Sequence, residues 1–191
     1  MSYDFENITV LVVESSHAMF DLTKSVLITF GVNQIYSSYG FQQGFDTFCH
    51  INPDLIIMDW MEEPNNGLEL TKRIRADSSS PNPFVPIILM TGYTLKKRVI
   101  MARDSGITTF MAKPYTAKAL YKRIEQLVER PRQFVKSESY FGPDRRALRA
   151  DVYKGPERRS DTNSVEVPAN VTASQLAREI RARSESQKEK K

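Results

Sequence analysis

Four short apolar runs recur along the first part of the chain, and a polar residue closes each one. Glu14 follows Thr9-Val10-Leu11-Val12-Val13, Asp59 follows Leu55-Ile56-Ile57-Met58, Thr91 follows Ile87-Ile88-Leu89-Met90, and Lys113 follows Phe110-Met111-Ala112. The runs are continuous rather than alternating, which predicts strands buried on both faces. A weaker strand is predicted at Gln34 to Ser38. Between the runs the apolar spacing turns helical: Leu22, Val26 and Phe30 lie four apart, Phe45 and Phe48 mark a second helix, and Leu68, Thr71 and Ile74 a third. The clearest is Thr116 to Glu129, with Ala117, Leu120, Ile124, Leu127 and Val128 on one face, Lys118, Lys122, Arg123 and Gln126 on the other, and Thr116 placed to cap it. Five strands alternating with five helices predict an α/β fold, a parallel sheet covered by helices on both sides. Right-handed crossovers make that sheet doubly wound.

The pattern changes at Arg130-Pro131-Arg132. Beyond it large aliphatic residues thin out, and residues 131–171 are expected to be a disordered basic linker because they bury too little to offset ordering entropy. Within it Tyr140-Phe141-Gly142-Pro143-Asp144-Arg145-Arg146 is echoed by Tyr153-Lys154-Gly155-Pro156-Glu157-Arg158-Arg159, a pair too short for a solenoid and suited to a docking peptide with Tyr as anchor. Residues 172–191 open with Thr172-Ala173-Ser174-Gln175, a capping-box pattern, and form at most a short charged helix.

Charge sharpens this division. Of the 27 Lys+Arg and 23 Asp+Glu in 191 residues, 13 and 14 fall in residues 1–130, so the net +4 belongs to the tail. The interleaved acids and the lack of a helix-turn-helix pattern argue against a nucleic-acid role. No run approaches the roughly 18 apolar residues of a membrane span, and Met1-Ser2-Tyr3-Asp4-Phe5-Glu6 has no leader pattern, so a cytoplasmic protein is expected. Cys49 is the single cysteine, which excludes an intrachain disulfide and a cysteine-based metal cluster. Trp60 is expected to be a partly packed surface aromatic and His17 an exposed or hydrogen-bond-satisfied histidine near the start of the first helix.

In a parallel sheet the four strand-closing residues meet at one edge, where open α/β sheets bind their ligands. A nucleophilic carboxylate, a second acid, a hydroxyl and an ammonium together suit the acceptance of a phosphoryl group. Residues 7–130 resemble a response-regulator receiver domain of two-component signalling, in particular a stand-alone chemotaxis-type receiver. Asp59 stands at the phosphorylated aspartate, eight residues before the loop-closing Gly67; Thr91-Gly92 stands at the hydroxyl position, Lys113-Pro114 at the Lys-Pro pair, and Phe110 at the aromatic switch position.

The resemblance implies a flavodoxin-like five-stranded sheet in the order 2-1-3-4-5 and a non-enzymatic switch in a cytoplasmic bacterial phosphorelay. Asp59 would take a phosphoryl group from a histidine kinase or phosphotransfer protein, forming a 4-aspartylphosphate. Thr91 and Lys113 would contact the phosphoryl oxygens. Mg²⁺ would be held by Glu14, Asp59 and the main-chain carbonyl of Met61. The added charge, about −1.5 to −2, would draw Thr91 inward, turn Phe110 and reshape a face including Val99, Arg103, Phe110, Tyr115 and Lys122 for an output protein or a homodimer partner. A cis Lys113-Pro114 bond is implied as well.

The departure lies beside Glu14. Receivers carry two adjacent acids there, whereas this chain has Glu14-Ser15, so Ser15 is a degraded ligand position and weaker magnesium binding is expected. Glu62 or Glu63 could supply a carboxylate instead. The alternative function is a pseudo-receiver, a binding module that signals without phosphate. A haloacid-dehalogenase-type phosphatase would need Asp-x-Asp where Asp59-Trp60-Met61 stands, and Glu14-Ser15-Ser16-His17 is a poor phosphate loop for flavin.

Overall fold

The computed structural model describes residues 3, 5–61, 66–92, 96–137, 140–144 and 165–166. Five parallel strands, β1 (Thr9–Val13), β2 (Gln34–Ser38), β3 (Leu55–Asp59), β4 (Ile87–Thr91) and β5 (Thr109–Ala112), form one sheet in the order β2-β1-β3-β4-β5. The helices are α1 (His17–Thr29), α2 (Phe41–Ile51), α3 (Asn66–Ala76), α4 (Lys96–Asp104) and α5 (Ala117–Glu129). Alternate strand residues serve opposite faces, as strand geometry requires. Val10, Val12, Leu55, Ile57, Ile88 and Met90 pack with Phe20 and Leu27 of α1 and Leu120, Ile124 and Val128 of α5. Leu11, Val13, Ile56, Met58, Ile87 and Leu89 pack with Phe45 and Phe48 of α2, Leu70 and Ile74 of α3 and Ala102 of α4. This two-sided burial is why the runs do not alternate.

Helix ends are fixed locally. Ser16 caps α1, its hydroxyl accepting from Met19 N, and Thr116 caps α5, accepting from Ala119 N at 3.2 Å. Trp60 differs from expectation: it is 3% exposed and packs in the α2–α3 side of the core, with the Arg98 guanidinium 5.4 Å from its ring. Its apolar surface is large enough that filling the space beside β3 outweighs display at the surface. His17 is exposed as the first residue of α1 and lies 4.4 Å, ring to ring, from Tyr39. Cys49 is half-buried on α2, and burial raises its thiol pKa.

The start of the C-terminal segment also departs from the expected disorder over 131–171. Strands β6 (Phe134–Lys136) and β7 (Phe141–Pro143) pair antiparallel, and β8 (Val165–Glu166) pairs with the other edge of β6. Phe134, Val135 and Tyr140 are buried. Phe134 and Phe141 stack edge-on with Phe84, in the loop before β4, at 5.2 and 5.3 Å between centroids. A few aromatics concentrated against one patch therefore suffice to order a stretch whose average composition is polar. The second repeat copy and the predicted C-terminal helix lie outside the described residues. Among the described residues no helix is long and apolar enough to cross a membrane.

Candidate functional site

The sheet register brings the strand-closing residues to one edge. Val13 pairs with Met58, Asp59 with Met90 and Thr91 with Ala112, so Glu14, Asp59, Thr91 and Lys113 stand within one step of each other along neighbouring strands. Lys113 is seated by its own backbone: its N–H donates to the Thr91 carbonyl at 2.7 Å, and the Lys113-Pro114 bond is cis. Its ammonium donates to Glu14 Oε2 at 2.7 Å and forms an ion pair with Asp59 Oδ1 at 2.8 Å.

Glu14 is 6% exposed, and its second oxygen accepts from Ser16 N at 3.1 Å. Asp59 Oδ2 accepts from Met61 N at 3.4 Å. Burial acting alone lowers the Lys113 pKa, but hydrogen bonds and charge from Asp59 and Glu14 outweigh it and hold the ammonium above its ordinary value. Two carboxylates against one cation leave the cluster one formal charge negative.

The backbone after Asp59 is equally specified. Met61 is buried at a positive φ of 51°, a conformation costly to a side-chain-bearing residue. Asn66 N donates to the Met61 carbonyl and Gly67 N to the Trp60 carbonyl, at 3.2 and 3.1 Å. A Cβ on Gly67 would lie 2.6 Å from the Asp59 carbonyl oxygen and 2.9 Å from that of Trp60. Both obstacles are backbone, so glycine is what lets α3 approach the acceptor strand.

The remaining expected site residues divide. Thr91 is buried at 3% exposure beside Lys113, whereas Phe110 points outward at 40%. Val99, Arg103, Phe110 and Lys122 line a groove of about 680 Å³ between α4, β5 and α5. Tyr115, expected on that face, instead exchanges a 2.7 Å hydrogen bond with Thr23 of α1 and packs on the α1–α5 side of the core. Ser15 is exposed. Glu62 and Glu63 lie outside the described residues. Sequence reasoning missed Ser16, which caps α1 and also holds Glu14 through its N–H; the Ser-His step before an apolar helix was the available signal.

Among the described residues no three acidic, histidine or cysteine side chains cluster to hold a metal ion. The donor chemistry nevertheless fits magnesium, since Glu14, Asp59 and the Met61 carbonyl offer only hard oxygens. The set carries one anion fewer than two adjacent acids plus the acceptor would provide.

An open parallel sheet with a half-buried aspartate, a lysine and a threonine at its C-terminal edge places this chain among the doubly wound α/β proteins whose site lies at the strand ends. The family model of the response regulator receiver domain matches residues 10–125, and the chain belongs to that family, a module of two-component and chemotaxis signalling. It is 24% identical to chemotaxis protein CheY-3 of Vibrio cholerae over 125 residues, spanning 65% of this chain and 95% of that one. The chemotaxis protein CheY homolog of Campylobacter jejuni is 30% identical over 120 residues, 62% of this chain and 90% of its own. Among solved structures, chemotaxis response regulator CheY4 of Vibrio cholerae superposes with a TM-score of 0.57 at 22% identity, covering 63% of this chain and 98% of CheY4. A response regulator from Thermotoga maritima gives 0.55 at 23%, covering 64% and 98%. At these identities the structural matches establish the fold.

Proposed function

We propose that this protein is a phospho-accepting response regulator whose output is protein binding, with Asp59 receiving the phosphoryl group of a histidine kinase or phosphotransfer protein. The observation that carries the reading is the Lys113 ammonium shared between Asp59 at 2.8 Å and Glu14 at 2.7 Å at the sheet edge. A carboxylate oxygen of Asp59 attacks phosphorus, the phosphorus–nitrogen bond of the donor phosphohistidine breaks, and the nitrogen leaves with its electron pair and takes up a proton. The product is an acyl phosphate on Asp59. Lys113 offsets the charge spread over the phosphoryl oxygens, and the Thr91 hydroxyl donates to one of them. Magnesium, held by Asp59, Glu14 and the Met61 carbonyl, would supply further charge compensation. With Thr91 drawn to the phosphate, Phe110 turns from its exposed position into the vacated space and alters the α4–β5–α5 groove.

The test is incubation with acetyl phosphate, or with a histidine kinase, over a range of magnesium concentrations. An acid-stable, base-labile label that is absent from Asp59→Asn supports the proposal; no label at any divalent concentration rejects it.

A second reading, a phosphorylation-independent pseudo-receiver, is favoured by one observation. The position beside Glu14 is an exposed, neutral Ser15, while Glu14 itself already serves Lys113 and the Ser16 N–H. Under that reading Asp59→Asn leaves partner affinity unchanged.

A further inference from the structure

The end of the sheet opposite the acceptor carries a second built site. Arg75, at the end of α3, is 5% exposed. It donates to the Pro83 carbonyl at 2.7 Å, the Gly106 carbonyl at 3.1 Å and Thr108 Oγ1 at 3.5 Å, and lies 5.1 Å from the Phe134 ring. Against this socket sits the first copy of the repeated motif. Tyr140 folds back over Gly142 and donates to the Pro143 carbonyl at 2.8 Å. A Cβ on Gly142 would lie 2.6 Å from the Tyr140 hydroxyl and 3.0 Å from Gly106 Cα, so the clasp needs glycine both for its own closure and for its seat. Phe141 supplies the apolar anchor, against Phe84 and Phe134.

The second copy keeps every residue that closes the clasp, Tyr153, Gly155 and Pro156, and also the acid and two arginines that follow. It replaces the anchor Phe141 by Lys154. It therefore retains what shapes the motif and has lost what makes the first copy win the socket of its own chain. Asp144, at the socket, and Val165, beside β6, are joined by residues 145–164. These 20 residues, at about 3.3 Å each, allow an excursion of about 30 Å out and back, enough to reach a neighbouring molecule.

We propose that the socket formed by Arg75, Phe84 and Gly106 is a recognition site for the Tyr-x-Gly-Pro-acid-Arg-Arg motif as such, and that Tyr153–Arg159 is its second ligand, docking into the socket of a second copy of this chain when the first motif has left it. The socket lies at the far end of the strands from Asp59, so this exchange does not depend on phosphorylation.

The test is fluorescence anisotropy with a labelled peptide of residues 150–161 against full-length chains. Gly142→Val disables the first clasp and so is expected to free the socket, and Gly155→Val in the same chain removes the matching glycine of the second motif so that it cannot take the first one's place. This double variant is expected to bind the peptide at least tenfold more tightly than the unaltered chain, whose own first motif competes, and a Gly155→Val peptide is expected not to bind. A peptide of residues 137–149 reports whether the socket is intact. Binding of that peptide without binding of the second, or equal binding of the second to both chains, overturns the proposal. Should the double variant fail to bind either peptide, Phe141→Lys serves: it keeps the first clasp and removes its advantage. Sedimentation is then expected to show concentration-dependent dimers that Gly155→Val abolishes, and a monomer at all concentrations overturns the proposal.

Discussion

Replacing Lys113 by Met tests whether the ammonium is what allows two carboxylates to share the sheet edge. In the native site Glu14 Oε2 and Asp59 Oδ1 both lie within 2.8 Å of one nitrogen and so are at most about 5.6 Å apart. At an effective dielectric of about 20, two unit charges at that separation repel by about 3 kcal/mol. The side chains of Lys113, Glu14 and Asp59 are 18%, 7% and 21% exposed, so water screens little of this. Removing one partner of a fully buried pair costs about 3–5 kcal/mol. A loss of about 2–3 kcal/mol in urea unfolding at pH 7.5 is the expected outcome.

The pH dependence separates charge from packing. In the native chain Lys113 is held above its ordinary ammonium value. Its contribution is therefore complete below the unfolded value and lost only as alkaline pH passes the folded one; between pH 5 and 8 it is constant. In Lys113→Met, protonating one of the facing carboxylates relieves their repulsion, so the folded variant takes up protons more readily than its unfolded chain, and its deficit shrinks as pH falls toward 5. Adding Glu14→Gln should recover about 2 kcal/mol at pH 7.5, because one charge no longer has an opponent. An equal deficit at pH 5 and 7.5, or a Glu14→Gln effect that simply adds, would refute the reasoning.

Gly67→Ala should cost about 1–3 kcal/mol in the same unfolding assay, because the added methyl meets the Asp59 and Trp60 carbonyls and neither can turn aside. Phe134→Ala, which empties the centre of the Phe84–Phe134–Phe141 cluster, should raise amide hydrogen exchange in β6 and β7 by about two to four orders of magnitude, from a typical Phe→Ala cost of about 3–5 kcal/mol, while exchange in β1 and β3 is unchanged. Ser15→Asp restores an anion beside Glu14 and should raise the apparent magnesium affinity of acetyl-phosphate labelling about tenfold or more; no gain would mean that Ser15 is not the limiting position.

The five strands were legible because burial on both faces leaves continuous apolar runs, and β2 was legible despite its weakness because the series required a strand between α1 and α2. The strand-end residues were legible for the same reason: a parallel sheet puts the residue after each run at one edge, so Asp59, Glu14 and Lys113 could be brought together before any distance was known. Tyr115 was misplaced because one hydrogen bond to Thr23 decides its direction, and a partner 92 positions away leaves no local trace. Trp60 was misplaced because its neighbours in sequence are the polar residues of the site, while its neighbours in space are core residues on the α2–α3 side. The hairpin escaped notice for a related reason. Its apolar residues follow no period, and Phe84, Gly106 and Arg75, which give them a surface, lie on three separate segments.

Arg75 also decides how the hairpin relates to the rest of the domain. Its burial pulls the guanidinium pKa down to about 9, which is the cost of lost hydration for a group that stays charged. Three hydrogen-bond acceptors and the Phe134 ring offset the loss of water, and among the described residues no carboxylate joins them at the socket. If the hairpin leaves, Phe84 and the face under Phe134 and Phe141 become wet, which destabilises; at the same time Arg75 is rehydrated, which stabilises. The two changes oppose each other, so the net hold of the hairpin on the domain is smaller than its buried aromatic area suggests. That balance is what an exchangeable ligand requires: a segment held by a small difference between large terms can be replaced by another that restores most of them.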